Sequence, residues 1–564
     1  MKAAIVILGG GSLATARCLQ VLYPQALIHG LAGRVEGVDC SYDDFGATLR
    51  GLYQQDTPII ALCAAGIVIR CLASVLLEKG AEPPVLAVAE DASAVVPLLG
   101  GLAGVNVMAR EIAEHLQVAA AITTSGELRF GTCLLNPPKG YALEDLGQGK
   151  RFVSDLLAGE TVRIEGDASW LADARLPLDD NARLTIRVAS AARAAAPDDL
   201  LIYPRSVLAA VTGGADDLAA HVRQALADAG LASAALAGLL APQAQMADAS
   251  LHAAAEALGV PLRFAGADTA GELITQAVGQ VPAHTAQHCA LGIAPQPLDI
   301  ETLGRKRGRL AVVGLGPGAA ELMVPAVKAE LARATDVLGY ETYVRMAGPF
   351  RDDQVLHCTD NREEMQRARH AFELAAQGRS VVIVSSGDPG VFAMAAAVLE
   401  ALHEADQAAW HLVDLQMLPG VSASLATAAL AGAPLGHDFC VMSLSDNLKP
   451  WAVIVKRLEL AAEADLALAF YNPISRARPW QLGEALEVVR RYRAPETPVT
   501  LGRDVGRPAQ RLIITTLGEL TVEQVDSRTM VLVGSSVTCR FPRADGGQWV
   551  YTPRWYPHKP ATLG

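Results

Sequence analysis

Short apolar runs that end in Gly/Pro loops recur along the chain, each followed by small or apolar residues at helical spacing. Residues 381–384 (VVIV) are β-branched throughout and pass into Ser385-Ser386-Gly387-Asp388-Pro389-Gly390, then into a small-residue segment. That pattern predicts a buried parallel strand, a tight loop and a helix start. Residues 310–314 (LAVVG), Leu315-Gly316-Pro317-Gly318 and 319–335 repeat it, and LVDLQML (412–418) before Pro419-Gly420-Val421-Ser422-Ala423-Ser424 repeats it again. Three such loops at strand ends predict one cleft in which backbone lies close to a bound small molecule.

The same alternation organises the rest of the chain as α/β. Residues 1–150 carry the strands AAIVIL, PIIALCAAGIVI and PVLAVAE between helical stretches at 15–22 and 107–115, and read as a small domain with a mainly parallel sheet. Residues 151–196 are mixed: FVSDLL, TVRIEG and LTIRVAS predict a strand-rich excursion. A second α/β unit spans 197–293, opening with LLIYP and SVLAAVTG, then helices at 215–229 and 251–258 and the strand VPLRFAG. The polar, basic segment 294–308 reads as a linker. Residues 309–564 form two lobes, about 309–433 and 434–545. The second holds FCVMSLS, LALAFYN, PVTLGR, RLIITTLG and TMVLVGSS, and a small-residue segment (418–438) crosses between the lobes.

Composition narrows the partners. At 564 residues the chain is long enough for three or four domains. Residues 301–564 hold 28 basic and 29 acidic side chains, whereas 1–300 hold 19 and 31, so the first half is a poor nucleic-acid surface. Aromatic content of 5% argues against stacking platforms for single strands. The apolar run 92–109 contains Pro97, glycines and Asn106, so a strand-turn-helix is expected there and not a membrane span. Nine cysteines without a CxxC point to reduced thiols in the cytoplasm and to no structural metal site.

The loops constrain the chemistry. Gly314–Gly318 lacks the Gly-Lys-Ser/Thr of a phosphate loop, and Pro317 interrupts any dinucleotide fingerprint. Gly387 and Gly390 allow backbone contact with a ligand, while Asp388 either faces a cationic centre or caps the following helix.

With these loops, the segments VGLGPGAAEL (313–322), GYETYV (339–344), DNREEMQRARHAFELAAQG (360–378), SSGDPGVFAMAAAV (385–398), PLGHDFCVMSLSDNLKPW (434–451), YNPISRARPWQLG (471–483) and TPVTLGRDVGRP (497–508) resemble the tetrapyrrole methylase family. Within it they resemble the precorrin-3B C(17)-methyltransferases of cobalamin biosynthesis. The resemblance implies S-adenosylmethionine bound between two α/β lobes, a precorrin substrate, methylation at C(17) with ring contraction, and a homodimer working beside other corrin-pathway enzymes. It places cofactor contacts on Gly316, Pro317, Gly318, Gly387, Asp388, Val391, Phe392, Ser422, Ala423 and Tyr471. Arg362, Lys449, Arg476, Arg478, Arg503 and Arg507 fall in the matched motifs as cations for the substrate carboxylates. Proton movement at substrate oxygens gives Asp504, then Asp446 and His437, as acid/base candidates. One departure is Ala319, where the family often carries an acid.

The first half resembles the cobalt-precorrin-5A hydrolase family through AAGIVIR (64–70), VVPLLGGLAGVNVMAREIAEHL (95–116) and ITTSGE (122–127). The family's Ser-Gly-His-Leu-Gly-Gly stretch is here Gly100-Gly101-Leu102-Ala103-Gly104, one residue short and without histidine, and its Lys and Glu fall near Gln245 and Asp248. An apolar framework kept without its polar centre implies a hydrolase-like fold in two small domains without the chemistry. A second reading keeps both activities, with Glu90 or His115 replacing the histidine and cobalt-factor III as methyl acceptor.

Overall fold

The computed structural model describes residues 3–76, 82–351, 353–360, 363–475 and 478–556. Six sheets account for the strands. The first has the order 40–42, 27–31, 4–7, 59–62, 85–88, 95–99; all pairs are parallel except the last. The central strands 4–7, 59–62 and 85–88 are buried on both faces because helices cover both. PIIALCAAGIVI is not one strand: Ile59–Leu62 is extended, and Ala65–Leu72 is a helix whose Val68 and Leu72 are buried. The 92–109 run forms the expected strand Val95–Leu99, a turn and the helix Val105–His115.

A four-stranded sheet follows, with Tyr141–Leu143, Asp199–Pro204, Leu184–Val188 and Val162–Glu165 in that order. LLIYP, expected to open the second unit, is therefore a strand of this middle sheet. FVSDLL is helical, inside Leu146–Ala158, whose start is capped by Asp145 accepting the Gln148 N–H. The next sheet is built on Val207–Val211 and Leu236–Pro242. The segment 294–308 is fastened to it: the buried Arg263 guanidinium donates to the Leu303, Glu301 and Gly304 carbonyls.

The lobe starting at Arg309 is a parallel sheet of Val355–Thr359, Asp336–Tyr340, Ser380–Ser385, Arg309–Gly314 and Asp414–Leu418. The strand period of two is visible in its packing. Leu310 and Val312 join Phe372 and Val398 on one face, while Ala311 and Val313 join Val327 and Val344 on the other. The helix Ala423–Ala431 then crosses to the second lobe. That lobe is a mixed sheet of Phe439–Ser443, Ala467–Tyr471, Thr529–Val533, Pro498–Arg503 and Arg511–Thr516. A small sheet of Gly432–Ala433, Gln548–Tyr551 and Cys539–Pro542 closes the end of the crossover.

Candidate active site between the two C-terminal lobes

All three Gly/Pro loops leave the same end of the parallel sheet and meet. Gly316 and Gly387 form a two-residue antiparallel bridge. Gly314 and Gly420 pack against it so closely that a Cβ on either would collide with the Gly387 carbonyl oxygen. Their lack of a side chain is thus spent on loop-to-loop contact. Gly387 differs: its φ of +71° needs glycine, but its nearest neighbour to a Cβ is Ser422 Cα at 3.7 Å.

Asp388 is a brace. One carboxylate oxygen accepts the Gly390 N–H at 2.8 Å and the other the Gly420 N–H at 3.0 Å, joining the second loop to the third. It does not cap the following helix, whose N-cap residue is Ala393. Val391 closes the turn through its N–H to the Asp388 carbonyl, 3.2 Å.

The second lobe meets these loops at two places. The Tyr471 hydroxyl accepts the Ser424 N–H and donates to Ser424 Oγ, both at 3.1 Å, and Ser424 Oγ lies 3.1 Å from Ser422 Oγ beside Ala423. The Tyr471 ring stands 5.3 Å from Phe392, which is 51% exposed and holds a φ of +53°. A bulky residue in that region is strained by roughly 1–3 kcal/mol. At the other place, Arg507 Nε donates to the Pro317 carbonyl at 3.2 Å, and the loop around Gly506 packs on Pro317 and Gly318. The ten residues expected at the cofactor are therefore one contiguous cluster.

The expected cations divide. Lys449 Nζ stands 5.9 Å over the Phe392 ring, within cation–π range. Burial, then the charge of Arg457, lower its pKa from 10.5. Arg507 contacts the Pro317 carbonyl and Met346 Sδ. Among the described residues neither has a carboxylate partner. Arg478, by contrast, is held by Ser445, Asp446 and Asn447, and Arg503 by Asp526 at 2.8 Å and Asp504 at 3.0 Å. Arg362 and Arg476 lie outside the described residues.

The three acid/base candidates are each held by neighbouring groups. Asp504 is 6% exposed and its carboxylate sits between Arg503 and Arg528, 3.0 and 3.3 Å away. Flanked by two guanidiniums, it is an ion-pair node of the second lobe. Asp446 accepts from Arg478 and Gln481. His437 precedes the strand Phe439–Ser443, whereas Tyr471 ends the parallel strand beside it, in register with Ser443. It therefore lies at the opposite end of the sheet, where Asp438 N donates to its Nδ1 and its ring faces Tyr556.

Three residues join the cluster that loop reading did not select. Ser424 belongs to the third loop but is marked as special only by its bond to Tyr471. Ser385 Oγ is buried at the sheet end without a hydrogen-bond partner among the described residues. Tyr343, in the GYETYV segment, is pushed up by burial, against the opposing charges of Arg507 and Arg367. An orphaned hydroxyl and a glycine cradle at the end of a parallel sheet suit a small polar ligand such as S-adenosylmethionine.

In the first half, Gln245 Oε1 accepts the Gly213 N–H and Asp248 caps the helix Ala249–Leu258, so both serve local structure. The helix residue His115 faces Cys18, with Nε2 3.3 Å from Sγ. Among the described residues there is no cluster of metal-ligating side chains, no disulfide, and no helix long and apolar enough to cross a membrane.

Residues 309–521 match a family model described as Tetrapyrrole (Corrin/Porphyrin) Methylases, and residues 47–127 one described as Cobalamin synthesis G N-terminal. The chain is 51% identical over 249 residues to a Sinorhizobium sp protein named Precorrin-3B C(17)-methyltransferase, covering 44% of this chain and 97% of that relative. It is 48% identical over 262 residues to the Mycobacterium tuberculosis (H37Rv) protein named Cobalamin biosynthesis protein CobIJ, covering 45% of this chain and 50% of that one, so it spans half that relative's length. A solved structure titled as the methyltransferase CobJ is 50% identical and covers 44% of this chain and 100% of its own, with a TM-score of 0.41.

Proposed function

This chain belongs to the tetrapyrrole methylase family, and from that premise we propose that residues 309–564 methylate precorrin-3B at C(17), with contraction of the macrocycle, in cobalamin biosynthesis. S-adenosylmethionine supplies the electrophilic methyl group when bound. The observation that carries the reading is the 51% identity across nearly the whole of a relative bearing that name, beside a family match whose residues 309–521 include the three-loop junction.

The protein's part is positioning. Gly316–Gly318, Gly387–Phe392 and Ser422–Ala423 present backbone groups and an apolar ring to the donor, and Tyr471 fixes the third loop from the opposite lobe. Holding donor and acceptor in line contributes more to such a transfer than a strong base. Lys449 and Arg507, which have no carboxylate partner among the described residues, meet substrate carboxylates. Arg478 and Arg503 keep the second lobe's loops in place through Asp446, Asp504 and Asp526.

Residues 1–295 are a hydrolase-like framework without hydrolase chemistry in this reading. Support comes from the turn at Gly101–Ala103, which is flanked by left-handed Gly100 and Gly104 and presents Leu102 and Ala103 where the related stretch has a histidine. A homodimer in the cytoplasm is the assembly and setting that this function implies.

Incubating the whole chain with S-adenosylmethionine and precorrin-3B, with cobalt-factor III in parallel, tests the assignment. A mass gain of one methyl group with the visible spectrum of a contracted ring is expected from precorrin-3B. No methyl gain, or a preference for cobalt-factor III, contradicts it. Enzymatic opening of the cobalt-precorrin-5A lactone by the same preparation overturns the reading of the first half.

A further inference from the structure

The turn Gly101–Ala103 and the segment 124–157 enclose a cavity of about 760 Å³, far along the chain from the methylase loops. That volume lies within the roughly 300–1,000 Å³ of small-molecule sites. Its walls are mainly apolar, with Leu102, Phe130, Leu134, Leu135, Val153 and Leu157 among them. Leu102 is 40% exposed on its rim.

The polar groups are few and stand at different depths. Glu127 is 4% exposed; Asn106 Nδ2 donates to one of its oxygens at 2.6 Å and Arg110 pairs with the other. Asn106 Nδ2 is also 2.9 Å from Thr124 Oγ1. Burying a carboxylate is costly unless it is paired and hydrogen-bonded, and here an amide and a guanidinium are both committed to it. The Cys133 thiol, also in the lining, hydrogen-bonds the same carboxylate, and since an ionised carboxylate only accepts, it has capacity for one further donor. Lys150 and a second carboxylate, Glu82, also line the cavity; Lys150 is exposed and pairs with no carboxylate among the described residues.

The lining is suited to holding a molecule and not to attacking one. It contains no histidine, and burial, then the Glu127 charge, push the Cys133 thiol up, keeping it from the thiolate form. The proposed methyl transfer uses none of these residues. We propose that this cavity is a second ligand site for an apolar-bodied small molecule that carries one hydrogen-bond donor and one anionic group. The donor faces Glu127 and the anion meets Lys150.

The probe 8-anilinonaphthalene-1-sulfonate has an aromatic body, one N–H and one sulfonate. Fluorescence titration of the whole chain is expected to show a saturable site that Lys150→Glu weakens about five- to tenfold, as reversal of one rim charge implies. Leu157→Trp, which fills the cavity, is expected to remove that site. Circular dichroism and thermal melting verify folding of both variants. Should Leu157→Trp not fold, Lys150→Glu decides, because its side chain is exposed and has no ion-pair partner to lose. Probe binding undiminished in the folded variants overturns the proposal.

Discussion

Gly316 and Gly387 exchange two backbone hydrogen bonds, 3.1 Å from the Gly316 N–H to the Gly387 carbonyl and 2.8 Å in return. Loops seventy residues apart are thereby stitched into one surface, and Gly314 and Gly420 pack on the stitch with no room for a methyl group. Gly420→Ala is expected to force the junction apart and lower cofactor affinity and methyl transfer by more than about 100-fold, a loss near 2.7 kcal/mol. Calorimetric titration with S-adenosylhomocysteine measures it. Gly390→Ala, whose Cβ approaches only Asp388 Oδ1 at 3.2 Å, is expected to cost far less.

Asp388→Ala tests whether that carboxylate is a brace or a counter-charge. Both oxygens accept loop N–H groups, and leaving these donors unmet costs about 1–3 kcal/mol. Thermal stability of the ligand-free chain is therefore expected to fall. A variant that loses cofactor affinity at unchanged ligand-free stability assigns Asp388 to the ligand instead.

Lys449 sets a pH limb. Its ammonium is lost at a lower pH than an ordinary lysine's because burial and then Arg457 disfavour the charged form. Affinity for a polycarboxylate substrate is accordingly expected to decline as pH rises toward that lowered value. In Lys449→Gln, KM is expected to rise about three- to tenfold at neutral pH and the alkaline limb to vanish, with kcat little changed. Steady-state kinetics across pH checks both.

Asp465 ties the second lobe's sheet to its C-terminal hairpin. Burial opposes its ionisation, but the Ser536 hydroxyl and N–H, the Tyr556 hydroxyl and Arg493 outweigh that and hold its pKa below the ordinary carboxylate value. A lowered carboxylate contributes stability that is present above its unfolded pKa and lost as pH falls through the folded one. Melting temperature is thus expected to drop more steeply below about pH 4 in the parent chain than in Asp465→Asn, which starts lower at neutral pH.

The strands of this fold were legible because apolar runs bounded by Gly and Pro leave little choice. LAVVG, VVIV and LALAFYN all appear as buried strands. AAGIVI misled because its apolar residues suit either period, and FVSDLL because a helix capped at Asp145 begins six residues before Phe152. At the site, loop residues were readable from glycine and proline, whose conformations are local. The roles of charged residues were not. Nothing local to GRDVGRP announces that Arg528 comes to Asp504, and no spacing around His437 reveals that its strand starts at the far end of the sheet. Ion pairing and strand direction are properties of the assembled lobes.

In the proposed function the donor sits where the three loops meet. A crystal structure of the whole chain with S-adenosylhomocysteine tests it most directly. Density is expected against Pro317, Asp388 and Ala423, with Phe392 and Tyr471 beside it. Well-defined density anywhere else on the protein would contradict it.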